Sequence, residues 1–456
     1  MIATVACIDK EIKYSDINEI EWLVNSSIDM FLKKGNYQTL KELILPGSKV
    51  VIKPNLVTDK NNNNKVEPNG LDCLITNWNI IFTLLKRLNE VPNLKIVIAE
   101  CPMQWCDLNK IVTESVKRTL TNIYKYSSVE FKDLRAYKYI KNKNNKLKKI
   151  EKVDKLESIN VHLDDSSMFF LTNSKIDKLR IMDYPLEGLK KYHTFKKHIY
   201  NFDSVYLECD YIISVPKLKT HMKAGMTGAM KNLVGTVSDK ECIPHHTKGS
   251  KSSNGDCYEK FAFDKALGEY LYDCAYQCLR KYPQIYELLK GITNKGILKL
   301  RRSLNLNDNI SGSWYGNITL PKSIIDINRA MIYGGLDGKL HRTPQRTLLT
   351  LMDCVLIGEG NGPLAPSPKS MNTIIFSDSC MLADKVAATL LGFRIDKIHY
   401  LNKSFIKGDF SLESGIASII YNYIELEDIK TLENYAIKVK PPKYWVGHIE
   451  NTNQFL

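Results

Sequence analysis

Lys217, Lys219, His221, Lys223 and Lys231 lie within fifteen residues of one another, a concentration of cationic and imidazole groups that could hold an anion and move a proton. Ammonium groups are costly to crowd unless an anion sits between them, so phosphate or carboxylate is the expected ligand. Gly225 and Gly228 follow at once, and their small faces would let backbone N–H groups approach that anion, as at a helix N-terminus. Thr227, Met230 and Leu233 give the same stretch an apolar side, which predicts a semi-buried loop. The catalytic residues expected are His221, Lys217 and Lys231, with His221 moving the proton. Lys53, Asn55, Lys219, Asn232, Glu100 and Glu359 are the expected substrate contacts.

A second chemistry is carried by Pro244-His245-His246. With Asp239, Glu241 and Asp256 near in sequence, imidazole and carboxylate could ligate a transition metal, and His245, His246 and Asp256 are the candidate ligands. Adjacent histidines share a face in neither helix nor strand, so one coordinating while the other packs or shuttles a proton fits better than both coordinating. A divalent metal is thus one cofactor the sequence could accommodate. The eleven cysteines include no C-x-x-C pair, so no iron–sulfur motif is present. Gly358-x-Gly360-x-Gly362 resembles a phosphate cradle, but Pro363 follows and no dinucleotide fingerprint is completed. Asp384, in the first turn of a predicted helix, suits that helix's dipole.

These groups must be positioned by strands and helices in alternation. Lys49–Ile52 runs into Lys53-Pro54-Asn55, with a helix predicted from about Leu71 to Leu88. Leu94–Ala99 ends in Glu100-Cys101-Pro102 before another helix. Asp210–Val215 meets the lysine-rich segment, Leu348–Ile357 meets the glycines at 358–362, and Thr373–Phe376 meets Ser377-Asp378 and a helix from about Met381 to Leu391. Strand–helix alternation predicts an α/β fold with a largely parallel sheet and helices on both faces. Ligands of such sheets bind beyond the carboxyl ends of the strands, so five strand ends are expected to converge on one crevice. Residues 1–400 read as this catalytic-type domain, with insertions near 130–200 and 257–312, and 401–456 as an extension packed on the core. The second insertion is predicted to be helical, with Leu267, Leu271, Cys274 and Cys278 as a core-packing stripe that could cap the crevice.

Lys53-Pro54-Asn55, Val215–His221, Gly228–Gly235, Pro244-His245-His246 and Gly358–Pro363 together resemble the family called domain of unknown function 362. The resemblance runs from about Val50 to Ile398. Ala99-Glu100-Cys101-Pro102 departs from the Asp-Ser-Pro or Asp-Ala-Pro form of that family. Some relatives carry an appended ferredoxin-type cysteine motif, which is missing here, so the resemblance implies no electron transfer. It implies the fold and no catalytic assignment. The lysine and histidine loop is also distantly similar to that of the nickel-pincer lactate racemase group.

Composition sets the outer bounds. With 456 residues, 44% hydrophobic and 25% charged, the chain can bury a sizeable core. The net charge of +14 favours an acidic partner, yet Lys141–Lys155 alone has seven lysines against Glu151 and Asp154, and so supplies +5 of it as a solvated stretch. No window is long enough to span a bilayer and the N-terminus resembles no leader, so a cytoplasmic protein with no membrane partner is expected. The odd, scattered cysteines fit reduced thiols. No helix-turn-helix, zinc finger or stacking motif supports a nucleic-acid partner. An enzyme acting by acid/base chemistry on an anionic small molecule is the leading expectation, a metal enzyme centred on His221, His245 or His246 the second, and an anionic-polymer binder the third. Oligomeric state is open.

Overall fold

Val50 and Ile52 of the first predicted strand pack into one apolar core and Val51 into another. A strand apolar on both faces has to be covered on both, which puts it in the middle of a parallel sheet. The computed structural model describes residues 1–66, 70–143, 147–153 and 157–451. Asn144, Asn145, Lys146, Asp154 and Lys155 of the lysine-rich stretch lie outside the described residues.

The main sheet has eleven strands. They are β1 (Ile2–Cys7), β2 (Lys49–Pro54), β3 (Lys95–Glu100), β4 (Glu130–Asp133), β5 (Tyr211–Val215), β6 (Lys217–His221), β7 (Gly225–Thr227), β8 (Thr347–Asn361), β9 (Ala365–Ser377), β10 (Ser418–Tyr421) and β11 (Ile424–Leu426). The order β11-β10-β1-β9-β8-β5-β2-β3-β4 runs across it. β1, β10, β8, β5, β2, β3 and β4 run the same way, while β9 and β11 run against them. The chain is therefore an α/β protein with a largely parallel sheet.

Helices α1 (Ile17–Lys34), α2 (Trp78–Leu88) and α3 (Glu114–Ile123) cover one face. The other is covered by α4 (Ala229–Asn232), α7 (Thr319–Tyr333) and α8 (Cys380–Leu390). Each aliphatic side chain fully buried between these layers contributes roughly 1.5–3 kcal/mol. The second insertion is built from α5 (Phe263–Cys278) and α6 (Pro283–Gly291), followed by a π-helical turn at Ile292–Leu298. Its Tyr272, Tyr276 and Tyr286 share a small core with Tyr137, Tyr139 and Leu147 of the first insertion, so the two insertions pack together.

Several sequence expectations change. The helix expected from Leu71 starts at Trp78, because the Asn77 side chain accepts the Asn79 N–H at 2.9 Å and caps it there. The turn before it is tied to two strand ends, with the Thr76 hydroxyl donating to Val215 O (2.6 Å) and accepting from Asn55 N (2.8 Å). Lys217–His221 is a buried strand paired with β7 and β8, not a loop. Gly358–Asn361 is the distal part of β8, paired with β9 up to Asn361–Ala365, so those glycines form no phosphate cradle. Because β9 is antiparallel, Ser377-Asp378 lies at the opposite end of the sheet, where Asp378 accepts Ile2 N of β1 at 2.8 Å. Four strand ends, not five, can share a crevice. Along α5 the residues facing inward are Lys265, Gly268, Glu269, Tyr272, Ala275 and Tyr276, while Leu267 is exposed and Leu271, Cys274 and Cys278 are half-buried. Of the expected packing stripe, Leu267 points outward, while the other three are half-buried and Cys278 packs against the small tyrosine core.

Candidate functional site

Beyond the ends of β2, β3 and β5 lies a cavity of about 380 Å³. Its lining includes five lysines, Lys53, Lys219, Lys223, Lys231 and Lys240, together with His221 and His245. Two carboxylates also line it, and each is already engaged. Glu100 accepts Lys53 Nζ at 2.7 Å, and Asp183 accepts Lys290 Nζ and the Tyr286 hydroxyl at 2.5 and 2.8 Å. The rest of the lining mixes apolar side chains, among them Met103, Met182, Met222 and Leu364, with Asn55, Asn232, Thr227, Ser311 and Ser313.

The floor is a chain of hydrogen bonds that fixes side chains brought from three strand ends. Glu100 Oε1 also accepts Cys101 N (2.9 Å), and its Oε2 accepts Leu56 N (2.8 Å). Lys53 Nζ additionally donates to Pro54 O at 2.6 Å. The longer acid at this position spans from β3 to β2, with Oε1 doubly engaged and Oε2 holding the Leu56 N–H. Asn55 Nδ2 donates to Asn232 Oδ1 (3.1 Å), and Asn232 Nδ2 donates to Lys53 O (3.1 Å) and Ser214 Oγ (2.9 Å). Lys219 Nζ donates to Asn55 Oδ1 (2.9 Å) and to the Leu74 carbonyl. Asn55 and Asn232 therefore orient the lysines, while Lys53 is held in its ion pair. Gly235 leaves room for that pair: a Cβ there would lie 2.6 Å from Lys53 Nζ and 2.8 Å from Glu100 Oε1.

Lys219, Lys223, Lys231 and Lys240 form no ion pair among the described residues; Glu100 reaches Lys219 and Lys240, and Asp256 and Asp183 reach Lys223, only at longer range. Lys231, half-buried at the cavity wall, has no ion pair or hydrogen bond among the described residues. Burial, and then Lys240, Lys53 and Lys223, push its ammonium down to about 7. Burial lowers Lys223 to about 8. Burial and the neighbouring Lys231 and Lys217 hold Lys219 well below the ordinary lysine range. Two unit charges roughly 8 Å apart repel by about 2 kcal/mol at an effective dielectric near 20, so such a cluster sheds protons unless an anion enters.

The two imidazoles are set in complementary tautomers. His221 Nδ1 accepts the Lys223 N–H at 3.1 Å, so the proton of its neutral ring sits on Nε2. His245 Nδ1 faces Ile243 O at 2.8 Å and must donate to it, which leaves Nε2 bare. Burial and the surrounding lysines keep both rings neutral, His245 at about 3 and His221 well below the usual range. One histidine can thus donate a hydrogen bond and the other accept one. Thr227 Oγ1, at the same wall, is buried without a hydrogen-bond partner among the described residues. The hydroxyl is thus open to a hydrogen bond from the cavity side.

Other expected site residues are placed elsewhere. Lys217 is fully buried and ion-paired with Asp353 at 2.6 Å, with the Tyr14 hydroxyl bonded to both; it does not line the cavity. A register shift between Lys217 and Lys219 separates their partners. Glu359 accepts Lys440 N at 2.9 Å and ties β8 to the C-terminal residues, which were expected to be an extension packed on the core but supply β10 and β11 of the main sheet. Asp256 is spent on Thr247 N, Ile318 N, Thr319 N and the Thr319 hydroxyl, capping α7. His246 faces Lys223 Nζ at 3.5 Å, and among the described residues no three His, Cys, Asp or Glu side chains converge as metal ligands. His245, His246 and Asp256 therefore do not form the expected metal set. The N–H groups at the start of α4 are taken from inside by Asp384, whose carboxylate accepts Ala229 N (2.5 Å) and Met230 N (3.0 Å) and is pushed up by burial to about 7. Gly228 is required there, since a Cβ would lie 2.0 Å from Asp384 Oδ1. Asp384 serves α4 and not the dipole of its own helix.

Lys240 and Thr227 were not legible as site residues. Lys240 sits in a charged string, Ser238–Glu241, that reads as surface but is buried, with Nζ donating to Val234 O at 3.1 Å. The family model described as Domain of unknown function (DUF362) matches residues 173–389. That span holds Lys219–Lys240, His245 and the β8–β9 hairpin but starts after Lys53, Asn55 and Glu100, so it is shorter than the resemblance read from the motifs. No curated protein and no solved structure matches the chain.

Proposed function

With residues 173–389 belonging to the DUF362 family as the premise, we propose that the cavity binds a small molecule with a phosphate or carboxylate at one end and an apolar body, and moves a proton on it. The observation that carries this reading is the charge imbalance: five lysines face two carboxylates that are already paired. An anion among Lys219, Lys223, Lys231 and Lys240 would restore their protons and remove their mutual repulsion. Met103, Met182 and Met222 would take the apolar part, since methionine adapts to irregular shapes.

His221 Nε2–H and His245 Nε2 would donate and accept hydrogen bonds on the substrate and so orient it, while the proton itself needs a group that titrates near neutrality. Lys231, with its amine at about 7, is that proton carrier. That the unpaired lysines line an interior cavity favours a small molecule over a polymer. Calorimetric titration with inorganic phosphate, pyrophosphate and short-chain acyl phosphates and carboxylates tests the reading. Binding that is lost in a Lys219→Met, Lys231→Met double variant is expected; equal binding by the double variant, or none of these anions bound by the parent, would overturn it.

A further inference from the structure

The helical insertion carries an apolar face that covers nothing among the described residues. Of the 25 exposed large apolar side chains among the described residues, eleven lie between Phe261 and Leu306, a tenth of the sequence. They fall in stripes. Phe263, Leu267 and Tyr270 are spaced i, i+4, i+7 along α5, and Ile285, Leu288 and Ile292 i, i+3, i+7 along α6 and the turn after it, with Phe263 78% and Leu288 62% exposed. The opposite sides of the same helices bury Tyr272, Tyr276 and Tyr286 in the tyrosine core, so the stripes point away from the molecule.

Charge identifies what can cover them. Residues 261–306, which carry both stripes, hold eight lysines and arginines against Asp264, Glu269, Asp273 and Glu287, a net +4, and the basic excess lies in residues 281–306, where Glu287 is the one acid. Lys281, Lys295 and Lys299 are exposed and have no ion pair among the described residues. An aliphatic stripe bordered by unpaired lysines matches an interface of apolar chains under anionic headgroups. A second copy of the chain would set +4 against +4, and nucleic acid would offer nothing to Ile285, Leu288, Ile292 and Leu300.

We propose that this face lies on an anionic membrane surface. No helix among the described residues is long and apolar enough to cross a membrane, and a helix lying in the interface need not be. The absence of an apolar span, on which the expectation of no membrane partner rested, does not bear on such a contact. The docked helix would also adjoin the cavity, because Tyr286 and Lys290 on its inner side hold Asp183 in the cavity wall.

The test is cosedimentation of the full chain with phosphatidylcholine vesicles, with and without phosphatidylglycerol. Retention only by the phosphatidylglycerol vesicles is expected. It should fall at least about tenfold in Leu288→Asp, Ile292→Asp, and about fivefold for each lysine removed in Lys295→Gln, Lys299→Gln. Phe263→Asp, on the neighbouring helix, repeats the apolar test should the first pair fail to fold. Equal retention by both vesicle types, retention by neither, or an oligomer in light scattering that the aspartate variants disperse would each overturn the proposal. The cavity reading does not enter this test, and anion titration stays intact if the face fails.

Discussion

Lys217 Nζ stands 2.6 Å from Asp353 Oδ2 with neither side chain exposed, and the ring and hydroxyl of Tyr14 close the pair. The lysine that opens the segment Lys217–Lys231 is thereby a structural cation. Removing one partner of a buried ion pair leaves the other uncompensated, which costs about 3–5 kcal/mol. Lys217→Met is expected to lower the denaturation midpoint accordingly, with anion affinity of the folded protein within about twofold of the parent. Chemical denaturation and calorimetric titration on the same preparation separate the two effects.

Lys231 should behave in the opposite way. It has no partner to lose, so Lys231→Met removes a repelling charge and should leave stability unchanged or raised. Anion affinity should drop about 10- to 100-fold, the worth of one charge-assisted hydrogen bond. Titration with pyrophosphate reads this directly.

Lys231 at about 7 and Lys223 at about 8 both lie below the ordinary lysine value. Between those values and the unfolded one, the unfolded chain binds more protons, so their contribution makes the ligand-free protein more stable as pH rises from 7 to 9. Anion binding runs the other way, being strongest at and below pH 7 and weakening as the lysines lose their protons. Urea midpoints at the two pH values should differ less in a Lys223→Met, Lys231→Met variant than in the parent.

The imidazole tautomers are open to nitrogen-15 NMR. At pH 7 His221 should show a bare Nδ1 and a protonated Nε2, and His245 the reverse. His245 should stay neutral down to about pH 3. The same tautomer on both rings would remove the donor–acceptor assignment.

Gly235→Ala forces a methyl against Lys53 and Glu100 and should cost about 1–3 kcal/mol through displacement of their ion pair. Gly296→Ala, where a Cβ meets nothing within 4 Å in a helical turn, should be neutral or slightly stabilising. Thermal unfolding of the two variants gives the contrast.

The sequence by itself determined the α/β class, because apolar alternation and strand–helix order are local properties that survive without knowledge of partners. Val50–Ile52, Ile96–Ile98 and Ile212–Val215 announce buried strands in their own composition. It also marked the ends of three of them, at Asn55, Glu100 and Lys217–His221, as places where polar groups gather. Residue type alone could not tell which of those groups would be free. Lys217 finds Tyr14, 203 residues away, and Asp353, while Lys231 finds no carboxylate. Asp384 turns toward α4 across 155 residues, and Asp256 toward Thr319 across 63. The direction of β9, set by pairing with both β1 and β8, removed Ser377-Asp378 from the crevice. Charge compensation and strand direction are fixed by long-range contacts, and so the tertiary structure alone decided which lysines became scaffold and which face the cavity.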